Sequence, residues 1–324
     1  MFVFRSRLYP CHFENGDNCS RVLHLYGMVL EPKLMSEIRK VPAASGAQWL
    51  LAGFALLRRA PLQLGGIGML WGAISSLLVM LGFKWPSLSN ALQFLMILVG
   101  PILMGGLLWA VREVDEGRTA RLGHLFHGFQ DGRAPHLLVS LLPQLVAGAL
   151  MGVLLWVMLG SSGLEQLFKL FGINQAGVQL GPDDIQQLLV GFPAVRFLLW
   201  VVLVLLVFVA MSLALFVMLP QVMFDGADGL HALNMSLRAG LRNFSALLVF
   251  FLLAFIALFA VYFALMIVAL LIRQLLGELM TIVLLQVFLV TVLMPAFTGA
   301  VYEAWKQMFA HVRLPSLRED VFAA

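Results

Sequence analysis

Long apolar runs, separated by short polar or basic intervals, set the pattern of this chain. Six of them reach the length of about eighteen residues or more that marks a candidate membrane span. They fall at approximately 62–83, 88–111, 136–159, 197–224, 244–272 and 279–301. A hydrocarbon layer about 30 Å thick takes roughly 20 residues of helix at about 1.5 Å each. Lipid offers no partner to backbone N–H and C=O groups, so each run is expected to be a helix. The pattern lacks the alternating segments, about ten residues long, that a transmembrane barrel would need. The expected fold is therefore all-α: a polytopic integral membrane bundle of six transmembrane helices.

The intervals carry a second pattern. "GFALLRRAPLQLGG" (53–66), "GFQDGRAPHLLVSL" (128–141) and "AGLRNFSALLVF" (239–250) each place arginine just before an apolar run. Ahead of each lies a segment too short or too polar to span. Leu122, Leu125, Phe126 and Phe129 recur at i, i+3, i+4 and i+7, which predicts one apolar helix face opposite Arg121, His124 and His127. Leu230, Leu233, Leu237 and Leu241 form a similar stripe, with Asp228 placed to cap the helix N-terminus. Trp49, Phe54, Leu56 and Leu57 supply the apolar surface of the first segment. All three are expected to lie in the membrane interface with the apolar side toward the acyl chains. The even-numbered spans carry Pro101, Pro220 and Pro295, which are expected to bend them, each followed by a polar exit. The unit thus reads interfacial helix, span, proline-bearing span, three times over, a possible threefold internal repeat.

One insertion, 161–195, interrupts the plan. Leu164, Leu167, Phe168 and Phe171 make an apolar face, and Pro182, Asp183 and Asp184 suit a second helix start, so a hairpin on the outer surface is expected. The stretches 84–87 and 273–277 read as tight turns. Residues 1–34 show neither a signal-peptide core nor a sustained period. They read as a gene-model extension ahead of a start at Met35, with Met28 as a second candidate start and a disordered tail as the other reading. The expected organisation is then one transmembrane domain over 35–310 and a cytoplasmic tail over 311–324.

Composition agrees with this picture. Hydrophobic residues make up 61% and charged residues 12% of the 324, and mean hydropathy is +0.94. The net charge of +4 could suggest nucleic acid, but the placement of the charges points to a membrane. With both termini on one side, all but four of the 21 Lys and Arg lie there. Lys84, Lys169, Arg196 and Arg273 are the exceptions. The positive-inside rule then sets both termini in the cytoplasm of a bacterial inner membrane. Both cysteines, Cys11 and Cys19, sit on that reducing side without a metal-type spacing.

Candidate chemistry is sparse. Ionisable residues deep in a span would suggest a proton or ion path, yet no Asp, Glu, Lys or Arg falls near a span centre. Ser75, Ser76, Gln93, Ser140, Gln144, Ser212, Gln286, Thr291 and Thr298 are the polar interior residues, expected to hydrogen-bond between helices. Gly100, Gly105, Gly106, Gly148 and Gly152 are expected to let helices approach. His124, His127 and His136 cluster, but no carboxylate or cysteine completes a metal set at suitable spacing. The run Arg112, Glu113, Asp115, Glu116 and Arg118 reads as a solvated helix exit. No phosphate loop, dinucleotide fingerprint or nucleophile elbow is present. No enzyme activity, cofactor or metal is expected. Arg58, Arg59, Arg121, Arg133, Arg238 and Arg242 should ring the bundle at headgroup depth, as anchors or as contacts to anionic lipid.

The stretches "WLLAGFALLRRAPL", "LRAGLRNFSALLVF" and "LMPAFTGAVYEAWKQMF" resemble an uncharacterised family of six-span inner-membrane proteins of Gram-negative bacteria. That family lies near the membrane domains attached to some glycerophosphodiester phosphodiesterases. The resemblance implies an integral inner-membrane location and assigns no activity or catalytic residue. The expected function is non-enzymatic interaction with membrane lipids or envelope proteins. The alternative is a transporter or permease-like protein for a small apolar or amphipathic solute.

Overall fold

The computed structural model describes residues 37–130, 132–175 and 190–310. The expectations for 1–34, for Pro182, Asp183 and Asp184, and for the tail 311–324 lie outside the described residues. Within them the chain is an all-α bundle, and six helical stretches are long and apolar enough to cross a membrane. Helix α1, Ser45–Arg59, precedes the first hairpin, α2 (Pro61–Lys84) and α3 (Pro86–Asp115). A 3-10 helix, Leu122–Phe129, and the short α4, Ala134–Leu138, lead into α5, Leu141–Gln175. Its hairpin partner is α6 (Ala194–Leu215), continued by α7 (Met218–Phe224). Helix α8, Gly229–Arg242, precedes the last hairpin, α9 (Phe244–Leu276) and α10 (Glu278–Met308). Ile38 and Phe309 fall in two minimal strands that pair, and the Arg39 N–H donates to the Met308 carbonyl at 2.8 Å.

The expected turns are tighter than the sequence suggested. Trp85 alone separates α2 from α3, its N–H donating to the Leu81 carbonyl at 2.9 Å. Gly277 alone separates α9 from α10 at φ +77°, a backbone conformation that glycine adopts without a Cβ clash. The insertion does not begin by leaving the span. Helix α5 runs on to Gln175, interrupted only at Gly160 (φ 68°, ψ 179°).

The prolines divide into two kinds. Pro101 and Pro295 lie inside α3 and α10, as expected. Pro220 does not sit mid-span, because the helix stops at Leu215 and restarts at Met218, leaving proline in the first turn of α7, where its missing N–H costs nothing. The break is held from outside. The Val217 N–H donates to Ser236 Oγ of α8 at 3.1 Å, and that hydroxyl approaches the Leu213 carbonyl at 3.3 Å.

Each surface segment docks on a hairpin that is not its own. Helix α1 packs on α9 and α10, the 3-10 helix on α2 and α3, and α8 on α4 and α6. Glycine makes the contact every time. A methyl at Gly46 would lie 2.7 Å from Phe250 N on α9, and one at Gly53 would lie 2.8 Å from Ala300 N on α10. Gly106 of α3 lies against the carbonyl of Leu125 in the 3-10 helix, and Gly128 against that of Ile102 on α3. On α8, a methyl at Gly240 would lie 2.9 Å from the Leu213 carbonyl of α6, and one at Gly229 2.7 Å from the His136 carbonyl of α4. Segment one therefore seats on hairpin three, segment two on hairpin one and segment three on hairpin two, closing a ring.

This docking corrects the reading of the surface segments. In α1 the residues Ser45, Gly46, Trp49, Gly53 and Leu56 are buried in protein, so Trp49 and Leu56 do not face acyl chains. The second segment is a 3-10 helix rather than an α-helix, and only Leu125 of its expected face is buried. In α8 the expectation holds only in part, because Leu233 and Leu237 of the stripe are half-buried against the protein core. Gly229, Ala232, Ser236, Ala239 and Gly240 face the bundle, while Leu230 and Leu241 are exposed. Asp228 precedes α8 as expected, but its carboxylate makes no cap bond and lies 3.1 Å from His136 Nδ1.

The buried core sits at the end of the bundle that carries the arginines. Trp49, Phe216 and Phe250 meet there with ring centroids 5.2 to 6.3 Å apart, joining α1, the α6–α7 break and α9. Only the first two turns of α9 are buried, at Ala246, Leu247 and Phe250, and on α6 only Leu213 and Ala214. Phe208, Phe255, Tyr262 and Leu271 further along are exposed. Hydrocarbon solvates leucine and phenylalanine as well as a protein interior does, so helices close up in a membrane where small residues let backbones touch. Helix α9 contains no glycine after Phe244 to do so.

Candidate functional site

Two features converge at the arginine-rich end: a charged and aromatic rim, and beneath it a central cavity. The rim starts from Asp115 at the end of α3, which Lys306 of α10 meets at 2.8 Å and Arg59 of α1 at 3.9 Å. Arg118 pairs with Glu113 at 2.6 Å and also contacts Glu116, and Arg112 meets Glu116 at 2.7 Å. The Arg112 hydrogen bond holds the Glu116 carboxyl below its usual range. The bond to Glu113 raises Arg118 further still. A carboxyl lowered in this way favours the folded form above its unfolded pKa, and that contribution fades as pH falls through the folded value. The run 112–118 is thus a set of ion pairs rather than free charge.

Aromatic rings hold the next layer. His127 stacks on Trp109 at 4.0 Å. Arg112 lies 5.4 Å from the Trp109 ring and 5.2 Å from that of Phe224, and Arg133 lies 5.4 Å from Trp109. Trp305 Nε1 donates to Asp225 at 3.2 Å.

The six expected rim arginines therefore separate. Arg59 and Arg133 are engaged with Asp115 and Trp109. Arg58, Arg121, Arg238 and Arg242 are exposed and make no ion pair among the described residues. The three histidines are not brought together as ligands. Among the described residues no group of three His, Cys, Asp or Glu converges on a metal position.

The polar interior residues mostly satisfy their own helices, which corrects the expectation of interhelical bonding. Ser75, Ser212, Thr291 and Thr298 each donate to the carbonyl four residues earlier, at 2.7 to 2.9 Å. Gln93 bonds Ser89 within α3 at 3.4 Å. Between spans, Trp200 Nε1, which nothing in the sequence singled out, donates to the Met151 carbonyl at 2.9 Å, and Thr298 Oγ1 lies 3.4 Å from Met104 Sδ while its proton serves the Met294 carbonyl. The glycine expectation holds for Gly105 and Gly106 and fails for Gly100, Gly148 and Gly152, where a methyl would meet nothing within 4 Å.

Asn243 was missed as a structural residue because sequence alone gives it no partner. It is 1% exposed. Its Nδ2 donates to the Arg39 carbonyl at 2.9 Å and its Oδ1 accepts from the Val41 N–H at 2.8 Å. It thereby ties the approach to α1 into the α8–α9 turn, one residue before the first helical position of α9, the position that Pro61 fills in α2.

The cavity has a volume of about 870 Å³ and all six spans contribute to its wall. Leu50 and Phe54 of α1 close it toward the rim, and Trp71 and Pro101 line it from the first hairpin. The third hairpin contributes α9 from Phe244 to Val261. Among the described residues the polar side chains of the lining are Ser140, Gln144 and Ser212, with the indole of Trp71, and no Asp, Glu, Lys or Arg reaches it. The missing helix contacts of Gly100 follow, since it lines this space. Small-molecule sites typically measure about 300–1,000 Å³ and combine apolar walls with a few polar groups, and this one fits that description. Compared with known proteins, the chain matches no family model, no curated protein and no solved structure.

Proposed function

We propose that this chain is a non-enzymatic, multi-pass protein of a bacterial inner membrane that binds membrane lipid, with the arginine-rich end in the cytoplasm. The observation that carries the reading is the cavity, apolar and within reach of acyl chains, lying directly under a rim where Arg58, Arg121, Arg238 and Arg242 are exposed without acidic partners. Each such cation beside an anionic headgroup layer contributes about 1 kcal/mol. The exposed arginines suit the anionic headgroups of the surrounding layer, and the apolar space below suits a lipid chain.

The test is lipid retention. Native mass spectrometry of the purified chain should show phosphatidylglycerol adducts that fall several-fold when Arg58, Arg121, Arg238 and Arg242 are all changed to Gln. Equal adducts in the variant would overturn the proposal. The transporter alternative draws on the same cavity, because Gln144 lines it. It is weakened by Gln93, which is used within its own helix, and by the absence of charge along the wall.

A further inference from the structure

We infer that the cavity holds one neutral, single-chain amphiphile, its chain lying along α9 and its small hydroxyl or carbonyl head hydrogen-bonded to the Gln144 amide. The inference deepens the lipid reading above and rests on it for the membrane as the source of the ligand.

Charge comes first. A phosphate or carboxylate drawn into this wall would find no cation, since among the described residues no Lys or Arg lines it. An unpaired charge in an apolar setting is too costly to carry. Anionic heads therefore belong at the rim, and the interior selects a neutral molecule.

Hydrogen bonding then identifies the anchor. Ser140 Oγ donates to the Leu137 carbonyl at 2.7 Å and Ser212 Oγ donates to the Phe208 carbonyl at 2.8 Å, so both hydroxyl protons are in use. Gln144 makes no hydrogen bond among the described residues. A primary amide offers two donors and an acceptor, which complements a hydroxyl or carbonyl in either sense.

Position and size complete the argument. Gln144 lies in the first turn of α5 and Ser212 in the last turn of α6, so the polar corner is at the rim end of the cavity. From Phe244 to Val261 the α9 wall is about 25 Å long at about 1.5 Å per residue. That length accepts an extended chain running from the corner toward the far leaflet. A volume of about 870 Å³ holds on the order of 30 water-sized groups. One long chain with a small head fits within it; a two-chain phospholipid would have to leave part of itself outside.

The experiment is a native mass-spectrometry titration of the full chain with oleyl alcohol, oleic acid and phosphatidylglycerol. One oleyl alcohol should bind per chain, and oleic acid, ionised at neutral pH, should bind more weakly. Gln144→Leu should weaken the alcohol about fivefold, the loss expected of one hydrogen bond. Ala257→Trp, which fills the cavity from a stretch of α9 outside the buried core, should abolish alcohol binding. Both variants should keep their phosphatidylglycerol adducts, which report that the bundle is intact. Oleic acid binding as tightly as the alcohol, or unchanged alcohol affinity in Gln144→Leu, overturns the inference. Loss of the rim adducts in the arginine variant with alcohol binding intact supports both readings. Rim adducts that persist in that variant overturn only the anionic-lipid proposal.

Discussion

Gly53 and Gly152 are the same residue in helices of one bundle, and they should answer a methyl group in opposite ways. At Gly53 an added methyl runs into the Ala296 carbonyl, with Ala300 N at 2.8 Å. Backbone on a packed helix gives way only by moving α1. Gly53→Ala should therefore cost about 1–3 kcal/mol, the range for overpacking, and lower the thermal midpoint in detergent. Gly152→Ala meets nothing within 4 Å and should be neutral or stabilising by up to about 1 kcal/mol, the helix-propensity gain. An equal response of the two would contradict the docking described for α1. Asn243→Ala removes the acceptor of the half-buried Val41 N–H and the donor to the Arg39 carbonyl and should cost about 1–3 kcal/mol, because both groups lose a partner where water reaches only in part. None of this was legible residue by residue. The sequence shows glycine and asparagine, whereas their effect depends on backbone that arrives from some 200 positions away, as in the separation of 202 between Asn243 and Val41.

At the scale of elements, the spans were readable and the surface segments only in part. A span is recognised by local physics, because about 20 apolar residues meet the thickness of the hydrocarbon whatever else the chain does. The same approach located all three surface segments but misjudged, in whole or in part, what each of them faces. Apolar periodicity identifies a side without saying whether lipid or protein lies against it, and Trp49 would look alike in either case. The small-residue face of α8, at Gly229, Ala232, Ser236, Ala239 and Gly240, was the signal that could have shown which side meets protein. A chain lacking residues 38–59 tests the role of α1. Ala300, fully buried in the intact protein, should resist a thiol reagent as Ala300→Cys in the full chain and react in the shortened one. The same substitution protected in both would show that α10 is covered by something other than α1.

For the whole molecule, orientation and internal asymmetry give the prediction. With Cys11 and Cys19 replaced, Lys169→Cys should react with a membrane-impermeant maleimide on intact cells, and Arg242→Cys only after the membrane is opened. The reverse pattern would invert the proposed topology. The cavity was not visible in the sequence, since its wall draws residues from all six spans, Trp71 alone from the first. What could be read was its chemistry, in the absence of charge from every span centre and the presence of a few isolated amides and hydroxyls.

The circular seating of the surface segments has a consequence for synthesis. Trp49 emerges early, yet the partner of its indole N–H is Gln307, 258 residues later, and its cradle is not complete until α10 is in place. A copy broken off before Glu278 would keep Trp49 against Phe216 and Phe250 but would leave its indole N–H without Gln307 and Gly53 without its seat on α10. Such a copy is expected to be cleaved faster by added protease than the full chain, because the contacts that fasten α1 are made only when the last span is in place.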